Sequence, residues 1–595
     1  MRVSDYIAKF LFDKGCRHVF MVTGGGSMHL NDAFGKSDLN CIFNNHEQAC
    51  AMAAESYYRS SNLPAVVNVT SGPGGTNAIT GVYGAWVDSA ALIVVSGQVK
   101  RETTISNMRL KGLRQLGDQE LDIIPLIDSI TKYSKRIENK NEIRYVLEKA
   151  WIEATTGRPG PVWIDVPLDI QGANVQEEHL FPFEDFKHPN TQTELSLDRK
   201  VISVTKKLEE SKKPVLYIGT GLHISEQRDA VLKFCELNNI PIVTAWNSND
   251  LVPSNHPCAA GRGGSVGDRA GNIALQNSDL ILILGTRLNI RLISYNWENF
   301  SPEAFKIMVD IDPHELHKPT LSIDLPIHAD LKDFIPLLLK QKLDTSGQFN
   351  EWLAHCKSNL KKFDAANEIR ATDVVGTINP YIFMNELSTH LDEQEIIVTG
   401  DGTACVASFQ AMNIKSAQRL YTNSGCASMG YDLPAAIGAH YATNKRIICL
   451  AGDGSIMMNI QELSTISCRK IPIKIFILNN DGYHSIRQTQ QAYFSDGLMG
   501  FDAETGLSLP NFEKIAYGFD LRYHALKTVS EIKPIFKKMS GNSLPEVCEV
   551  FLNPNQNFSP KLSSRKLSDG TMISANPENM HPFLDESDLS KARFK

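Results

Sequence analysis

Nine short runs of Val, Ile and Leu punctuate this chain, and they restrict its fold more than any other feature. They read AVVNVT (65–70), ALIVVSG (91–97), VWIDVP (162–167), VLYIGTG (215–221), LILILG (280–285), IMVDID (307–312), IIVTGDG (396–402), IICLAGDG (447–454) and IKIFILNN (473–480). A strand with one wet face alternates apolar and polar residues, whereas these runs are apolar almost throughout. That suits strands buried on both faces, as in parallel sheets. Helical spacing between the runs implies α/β layers, and Gly or Asp at many run ends places loops where ligands bind in such sheets. The expected fold class is α/β, with doubly wound parallel sheets.

Two polar, weakly periodic stretches interrupt the pattern, at 170–196 and 340–380. Cutting there gives expected units at 1–175, 190–345 and 370–550, followed by a tail at 551–595 rich in Ser, Pro and Asn. The first and third units read as candidate structural repeats. The 60 Lys and Arg against 67 Asp and Glu leave a net charge of −7. Nucleic acid is therefore not expected as a partner, because phosphate binding needs a basic face. No run approaches the ~18 apolar residues of a membrane span. The start, MRVSDYIAKFLFDKG, has amphipathic helix spacing rather than a signal-peptide core. Eleven scattered cysteines show no zinc spacing and read as buried free thiols in a reducing, cytoplasmic setting.

The strongest chemical signal is Gly452-Asp453-Gly454 followed, after 24 residues, by Asn479-Asn480. Each half follows a strand-like run, so both belong at the carboxyl edge of one sheet. Asp453 and Asn480 offer hard oxygen ligands to Mg²⁺, and a loop carbonyl near Gly482 offers a third. Magnesium favours octahedral oxygen coordination shared with substrate phosphates. Gly454 permits close approach of a diphosphate, and a helix opening near Ser455 would turn its N–H groups towards that anion.

This spaced element resembles the thiamine-diphosphate (ThDP) motif of the ThDP-dependent decarboxylases and carboligases. The chain as a whole resembles the catalytic subunit of the acetolactate (acetohydroxyacid) synthase family, from about residue 1 to 560. The landmarks are Gly24-Gly25-Gly26, His46-Glu47-Gln48, TSGPGGTNAITG (70–81), SGQV (96–99), QELD (119–122), GRPGPVWIDVP (157–167), VDIDP (309–313) and SMGYDLPAAIGA (428–439). The resemblance implies three domains: a pyrimidine-binding unit, a Rossmann-like middle unit and a diphosphate-binding unit. It also implies decarboxylation of pyruvate and transfer of the two-carbon unit to a second keto-compound. Active sites would form between the subunits of a homodimer or homotetramer.

By the same resemblance, Glu47 hydrogen-bonds N1′ of the aminopyrimidine and so activates the thiazolium carbon, which must lose a proton to act as a nucleophile. Gly402, Thr403, Ala427, Ser428, Met429, Tyr483 and His484 join Asp453, Gly454, Ser455, Asn480 and Gly482 around the coenzyme. Met429 would sit beneath the coenzyme's bend and preorganise it. Gln119 matches an active-site Gln, and Gly25 faces the thiazolium, where backbone groups can polarise an oxygen. Arg287 and Arg291 match two arginines of a middle-domain loop, and Arg291 can meet a substrate carboxylate bidentately. Family members bind structural FAD in the middle domain, through positions matching Gly219, Gly221, Arg287, Arg291, Asp312 and Asp330. Other branches of the superfamily leave that domain free of FAD.

The departures from the family gather around the acceptor. Thr489 stands at the acceptor-selecting Trp, Asp118 at an aromatic, Ser485 and Ile486 at Met and Val, His484 at Gly and His29 at Pro. Losing large aromatics removes apolar wall, so a wider and more polar pocket is expected. His29 and His484 are candidates for moving a proton to the acceptor oxygen. With the SPKLSSRKL tail, which matches a lid position, these changes leave two readings. One is acetolactate formation, and the other is addition to a nucleotide-linked deoxy-ketosugar.

Overall fold

In the computed structural model, which describes residues 1–184, 194–368, 372–494, 496–566, 572–573 and 576–594, all nine apolar runs become strands. They pair, with nine further strands, into three six-stranded sheets in which neighbouring strands run parallel. The first sheet runs Asn40–Phe43, His18–Met21, Ala65–Val69, Leu92–Gln98, Val162–Pro167, Tyr133–Arg136. The third runs Arg419–Tyr421, Ile396–Thr399, Ile447–Gly452, Ile473–Asn479, Glu546–Phe551, Arg522–Leu526. Numbered in chain order within each sheet, both read 2-1-3-4-6-5, so the two sheets are topological repeats. The middle sheet runs Ala259–Gly263, Ile242–Ala245, Pro214–Ile218, Leu280–Leu284, Phe305–Asp310, Leu325–His328 and reads 3-2-1-4-5-6, the dinucleotide-binding order.

The strands are buried because their side chains are covered on both sides. Ala65–Val69, Leu92–Gln98, Val162–Pro167 and Leu280–Leu284 are buried at every position. Each Val, Ile or Leu so removed from water stabilises the fold by about 1.5–3 kcal/mol. The first and third sheets share one core. Helix Glu47–Ser61, rich in small residues, lies directly against helix Asp432–Thr443 across that shared core. The middle sheet has its own cluster on one face and joins the third unit's core on the other.

The polar stretches hold some structure. Glu177–His179 forms a 3-10 turn, and Asn350–Lys362 forms a helix. Residues 185–193 and 369–371, where unit boundaries were drawn, lie outside the described residues. The described part of the tail packs onto the middle unit. Buried Arg269 pairs with Glu368 at 2.9 Å and donates to the carbonyl of Met580 at 2.7 Å. Helix Glu586–Ala592 closes the described chain. All eleven cysteines are free, but Cys468 is exposed and Cys41 and Cys426 are half-buried, because these three lie where the core ends. Among the described residues, no helix is long and apolar enough to cross a membrane.

Candidate functional site

The carboxyl edge of the third sheet opens into a cavity of about 1320 Å³. The Gly452–Gly454 and Asn480–Gly482 loops meet there because Asp453 ties them together. Its carboxylate accepts N–H bonds from Gly454 (2.7 Å), Gly482 (2.9 Å) and Asn480 (3.1 Å). Burial pushes this carboxyl up to about 7 despite those three donors. A nearby cation would therefore be favoured as a way of holding the charge. Asn480 donates its amide N–H to Thr403 Oγ1 at 2.8 Å, which leaves its amide oxygen available. Gly482 has φ +111°, and a Cβ there would fall 1.9 Å from the carbonyl of Phe501, so only glycine fits. Its carbonyl accepts the His484 N–H at 3.0 Å and keeps a second lone pair. One carboxylate, one amide oxygen and one carbonyl match a magnesium donor set completed by a diphosphate. No group of three His, Cys, Asp or Glu side chains forms a metal cluster among the described residues.

The helix expected to open near Ser455 does not form. After Gly454 the chain forms only a 3-10 turn, Ile456–Asn459. Ser455 spends its hydroxyl on Asp432 at 2.6 Å. Helix Thr403–Ala411, with Gly402 at its cap position, presents its N-terminus to the cavity. Gly454 is covered by the Tyr483 ring, which would lie 2.1 Å from an added Cβ. Ala427 (φ +54°) and Met429 line the cavity, while Ser428 is held aside by Asn423 Nδ2 at 2.7 Å. Asp401, at the cavity wall, was not anticipated. It is a largely buried carboxyl pushed up to about 7 by burial, with one oxygen unpartnered. The signal was present in the second Gly-Asp-Gly, 400–402, which closes another strand-like run.

His484 starts helix His484–Tyr493 and lines the cavity, its ring edge-on to Phe558 at 5.3 Å. Burial, then Arg487, pushes its pKa down to about 4, with the Gln556 backbone opposing weakly. Ser485, Ile486 and Thr489 share the wall with Gln488, Tyr493, Ser563 and Ser564. Arg291 lines this cavity and the neighbouring cleft, its guanidinium 5.5 Å from the Trp246 ring.

The N-terminal candidates gather elsewhere, around the loop that follows Ala65–Val69. Gly25 opens the 3-10 turn Gly25–Ser27, and the N–H of Gly26 donates to Thr70 Oγ1 at 3.1 Å. The carbonyl of Gln119 (φ +62°) lies 2.7 Å from the Cβ position of Gly72. Glu47 begins helix Glu47–Ser61 after His46, whose Nδ1 accepts the Gln48 N–H at 3.0 Å. Buried, it accepts a hydrogen bond from Asn77 Nδ2 at 3.0 Å. Glu47, Gly25 and Gln119 therefore share one neighbourhood, and none of them lines the cavity formed by their own chain's third unit. Asp118 is exposed beside them. His29 turns towards Gly172, where an added Cβ would come within 2.9 Å of its Nε2, and it too is absent from the cavity wall.

A second cleft, of about 500 Å³, lies at the carboxyl edge of the middle sheet. Gly219, Gly221, Arg287, Arg291 and Asp330 line it, joined by Arg158 and Asp88 of the first unit. Asp330 also caps helix Leu331–Lys340 by accepting the Lys332 N–H at 2.9 Å. Asp312 departs from expectation. It does not line the cleft but pairs with Arg158 at 2.9 Å, and Arg158 also holds Glu315 at 2.9 Å. Asp310, its neighbour on the strand end, lines the cleft instead and is pushed up to about 6 by burial.

Comparison with known proteins bears on both regions. Residues 1–125 match the family described as thiamine pyrophosphate enzyme, N-terminal TPP binding domain. Residues 201–338 match its central domain, and residues 393–550 its C-terminal TPP binding domain. The acetolactate synthase large subunit of Lactococcus lactis subsp. lactis is 31% identical over 574 residues, covering 95% of each chain. The probable acetolactate synthase large subunit of Methanocaldococcus jannaschii is 32% identical, covering 93% of this chain and 92% of its own. Isozyme 2 of the Escherichia coli large subunit is 28% identical, covering 94% and 97%.

Proposed function

The chain belongs to the thiamine pyrophosphate enzymes, in the acetolactate synthase large-subunit family, and from that premise we propose a division of labour among its residues. The protein is a ThDP-dependent carboligase that decarboxylates pyruvate and joins the two-carbon unit to an acceptor carbonyl. When bound, the coenzyme supplies the nucleophilic carbon that attacks the 2-oxo acid and carries the two-carbon unit after CO₂ leaves.

Asp453, Asn480 and the Gly482 carbonyl hold Mg²⁺, and the N-terminus of Thr403–Ala411 with Gly402 faces the diphosphate. The observation that carries this assignment is the Asp453 carboxylate, buried and locked by three N–H bonds at the meeting point of the two loops. Met429 and Ala427 support the coenzyme from the same side. Glu47 holds a proton at the aminopyrimidine, with Asn77 orienting its carboxylate, and Gln119 and Gly25 flank it. Because Glu47 lies outside its own chain's cavity, the complete site forms between two copies, as a dimer or a pair of dimers. Arg291 receives a substrate carboxylate, and His484 is the imidazole nearest the acceptor.

The middle cleft holds FAD in a structural role. Gly219 and Gly221 follow the first strand of a dinucleotide-type sheet, which is where a pyrophosphate is received in such folds. The family comparison favours a second 2-oxo acid as acceptor and gives no specific support to a ketosugar.

Incubating the protein with pyruvate, ThDP and Mg²⁺ and identifying products by mass tests this reading, with acetolactate as the expected product. CO₂ release without any carbon–carbon product would defeat it. A flavin band in the absorbance of the purified protein tests the second cofactor.

A further inference from the structure

One charged side chain in the coenzyme cavity has no part in the roles above. Lys561 lies in the tail segment that reaches back from the third unit to line the cavity wall. The segment is held by its backbone. Gln410 Nε2 donates to the carbonyl of Pro560 at 2.7 Å. The Lys561 N–H donates to the His581 carbonyl at 2.9 Å, and the His581 N–H donates back at 2.8 Å. Leu562 N–H then donates to the carbonyl of Ser265 at 2.9 Å, and Ser265 N–H to the carbonyl of Arg291 at 2.8 Å. Lys561 and Arg291 therefore stand on either side of Ser265, on one wall of one cavity.

Among the described residues, neither cation has an ion pair or a side-chain hydrogen bond. The acids that line the cavity are Asp401, which faces Arg291, and Asp453, which is occupied by three N–H donors. Burial, then the Arg291 charge, holds the Lys561 ammonium below its ordinary value. Two like charges on a partly buried wall repel one another, and an anion held between them removes that cost.

We propose that Lys561 and Arg291 form a two-cation clamp for the anionic group of the acceptor ketone, and that Lys561 makes the enzyme prefer an anionic acceptor to an uncharged one. The proposal rests on the carboligase reading. A carboxylate and a phosphoryl group present the same chemistry to such a clamp. A cavity of about 1320 Å³ has room for either beside the coenzyme.

The test uses the ThDP- and Mg²⁺-loaded enzyme with pyruvate as donor and competing acceptors: 2-oxobutanoate, dihydroxyacetone phosphate and uncharged dihydroxyacetone. Wild type should favour at least one anionic acceptor over the uncharged one, and which of the two it favours identifies the group. Lys561→Gln should raise KM for that acceptor by about tenfold or more, the loss of one charge-assisted hydrogen bond, and shrink the preference over dihydroxyacetone. Lys561→Arg should restore both. The Lys561 side chain makes none of the bonds that anchor the segment, so the substitution leaves the anchors intact. Equal use of charged and uncharged acceptors by wild type overturns the clamp, and so does a preference that Lys561→Gln leaves unmoved. If wild type ligates no acceptor at all, the carboligase reading falls and takes the clamp with it.

Discussion

The first and third sheets share one strand order yet present different chemistry from matching positions. In both, the edge strand numbered two leads into a helix on the shared core. In the first, Asn40–Phe43 passes almost at once into helix Glu47–Ser61, so a carboxylate is fixed at a helix start. In the third, Arg419–Tyr421 is followed by the irregular stretch 422–431 before helix Asp432–Thr443, and Met429 is displayed there instead. Strand three shows the same contrast: Thr70–Gly75 follows it in the first sheet and Asp453 in the third. A common scaffold fixes where loops emerge, and the loops decide what they do. In the proposed division of labour, one copy is the proton-holding unit and the other the metal- and diphosphate-holding unit.

The sharpest way to break that contrast is to remove the carboxylate. Glu47→Gln keeps the shape and the Asn77 contact but cannot hold the proton in the same way. CO₂ release from pyruvate should fall by about 10²–10⁴-fold, the usual worth of a positioned acid–base group. A fall of less than threefold would mean that the first unit only scaffolds. Next in size is Asp453→Asn. Loss of an outer-shell partner already weakens metal sites by about 10–100-fold, so losing the carboxylate itself should weaken Mg²⁺-dependent ThDP binding by on the order of a hundredfold. Calorimetric titration of ThDP with and without Mg²⁺ measures this, and affinity unaltered by the substitution would remove Asp453 from the metal site.

These assignments differ in how legible they were. The nine apolar runs became central strands because strands buried on both faces are apolar at almost every position. All six edge strands fell outside those runs. An edge strand such as Tyr133–Arg136 is only half-buried, and its residues answer to solvent as much as to the sheet. The repeat relation between the first and third units was only a suggestion in sequence, since strand order depends on which strands pair across long separations. Asp453 and Asn480 were readable from spacing because two strand ends must carry them to one edge. Asp401 and Lys561 were not singled out. Asp401 sits in an ordinary Gly-Asp-Gly, and Lys561 reaches the cavity only through backbone bonds between the tail, Gln410, His581 and Ser265. Asp312 was misplaced because its partner, Arg158, comes from another unit.

A third test compares matched buried acids. Asp165 and Glu549 are each the fourth residue of strand six in their sheets, opposite Ser96 and Ile477. Asp165 accepts from Ser96 Oγ at 2.6 Å and Gln98 Nε2 at 3.1 Å. Glu549 accepts from Asn479 Nδ2 at 2.6 Å and the Tyr523 hydroxyl at 2.5 Å. Burial pushes Asp165 up to about 7 despite its donors, from the ordinary 3.8. A folded-state pKa above the unfolded one gives stability that is complete below about pH 4 and is lost as pH rises to about 7. Asp165→Asn should remove that share, on the order of a few kcal/mol. The melting temperature should then change less between pH 4 and pH 7 than in wild type, and an unaltered slope would show that Asp165 titrates as it does in the unfolded chain.

The smallest expected effect tests the contact between the two repeats themselves. Helices Glu47–Ser61 and Asp432–Thr443 occupy matching places in the two units and pack face to face at Gly438. A Cβ at Gly438 would lie 1.9 Å from the carbonyl oxygen of Ala53 and 2.7 Å from its carbon, so backbone must move to admit it. Gly438→Ala should therefore destabilise by about 1–3 kcal/mol through overpacking, even though alanine is the better helix former. Gly35→Ala, in helix Met28–Lys36 with nothing within 4 Å of its Cβ position, is the matched control and should be neutral or slightly stabilising. Unfolding midpoints of the two variants separate the effects. Because Glu47 starts one of the two helices, a Gly438→Ala protein that still folds should also release CO₂ more slowly, while Gly35→Ala should not. If both variants melt and turn over alike, the helices meet loosely, and the close pairing of the two repeats does not position Glu47.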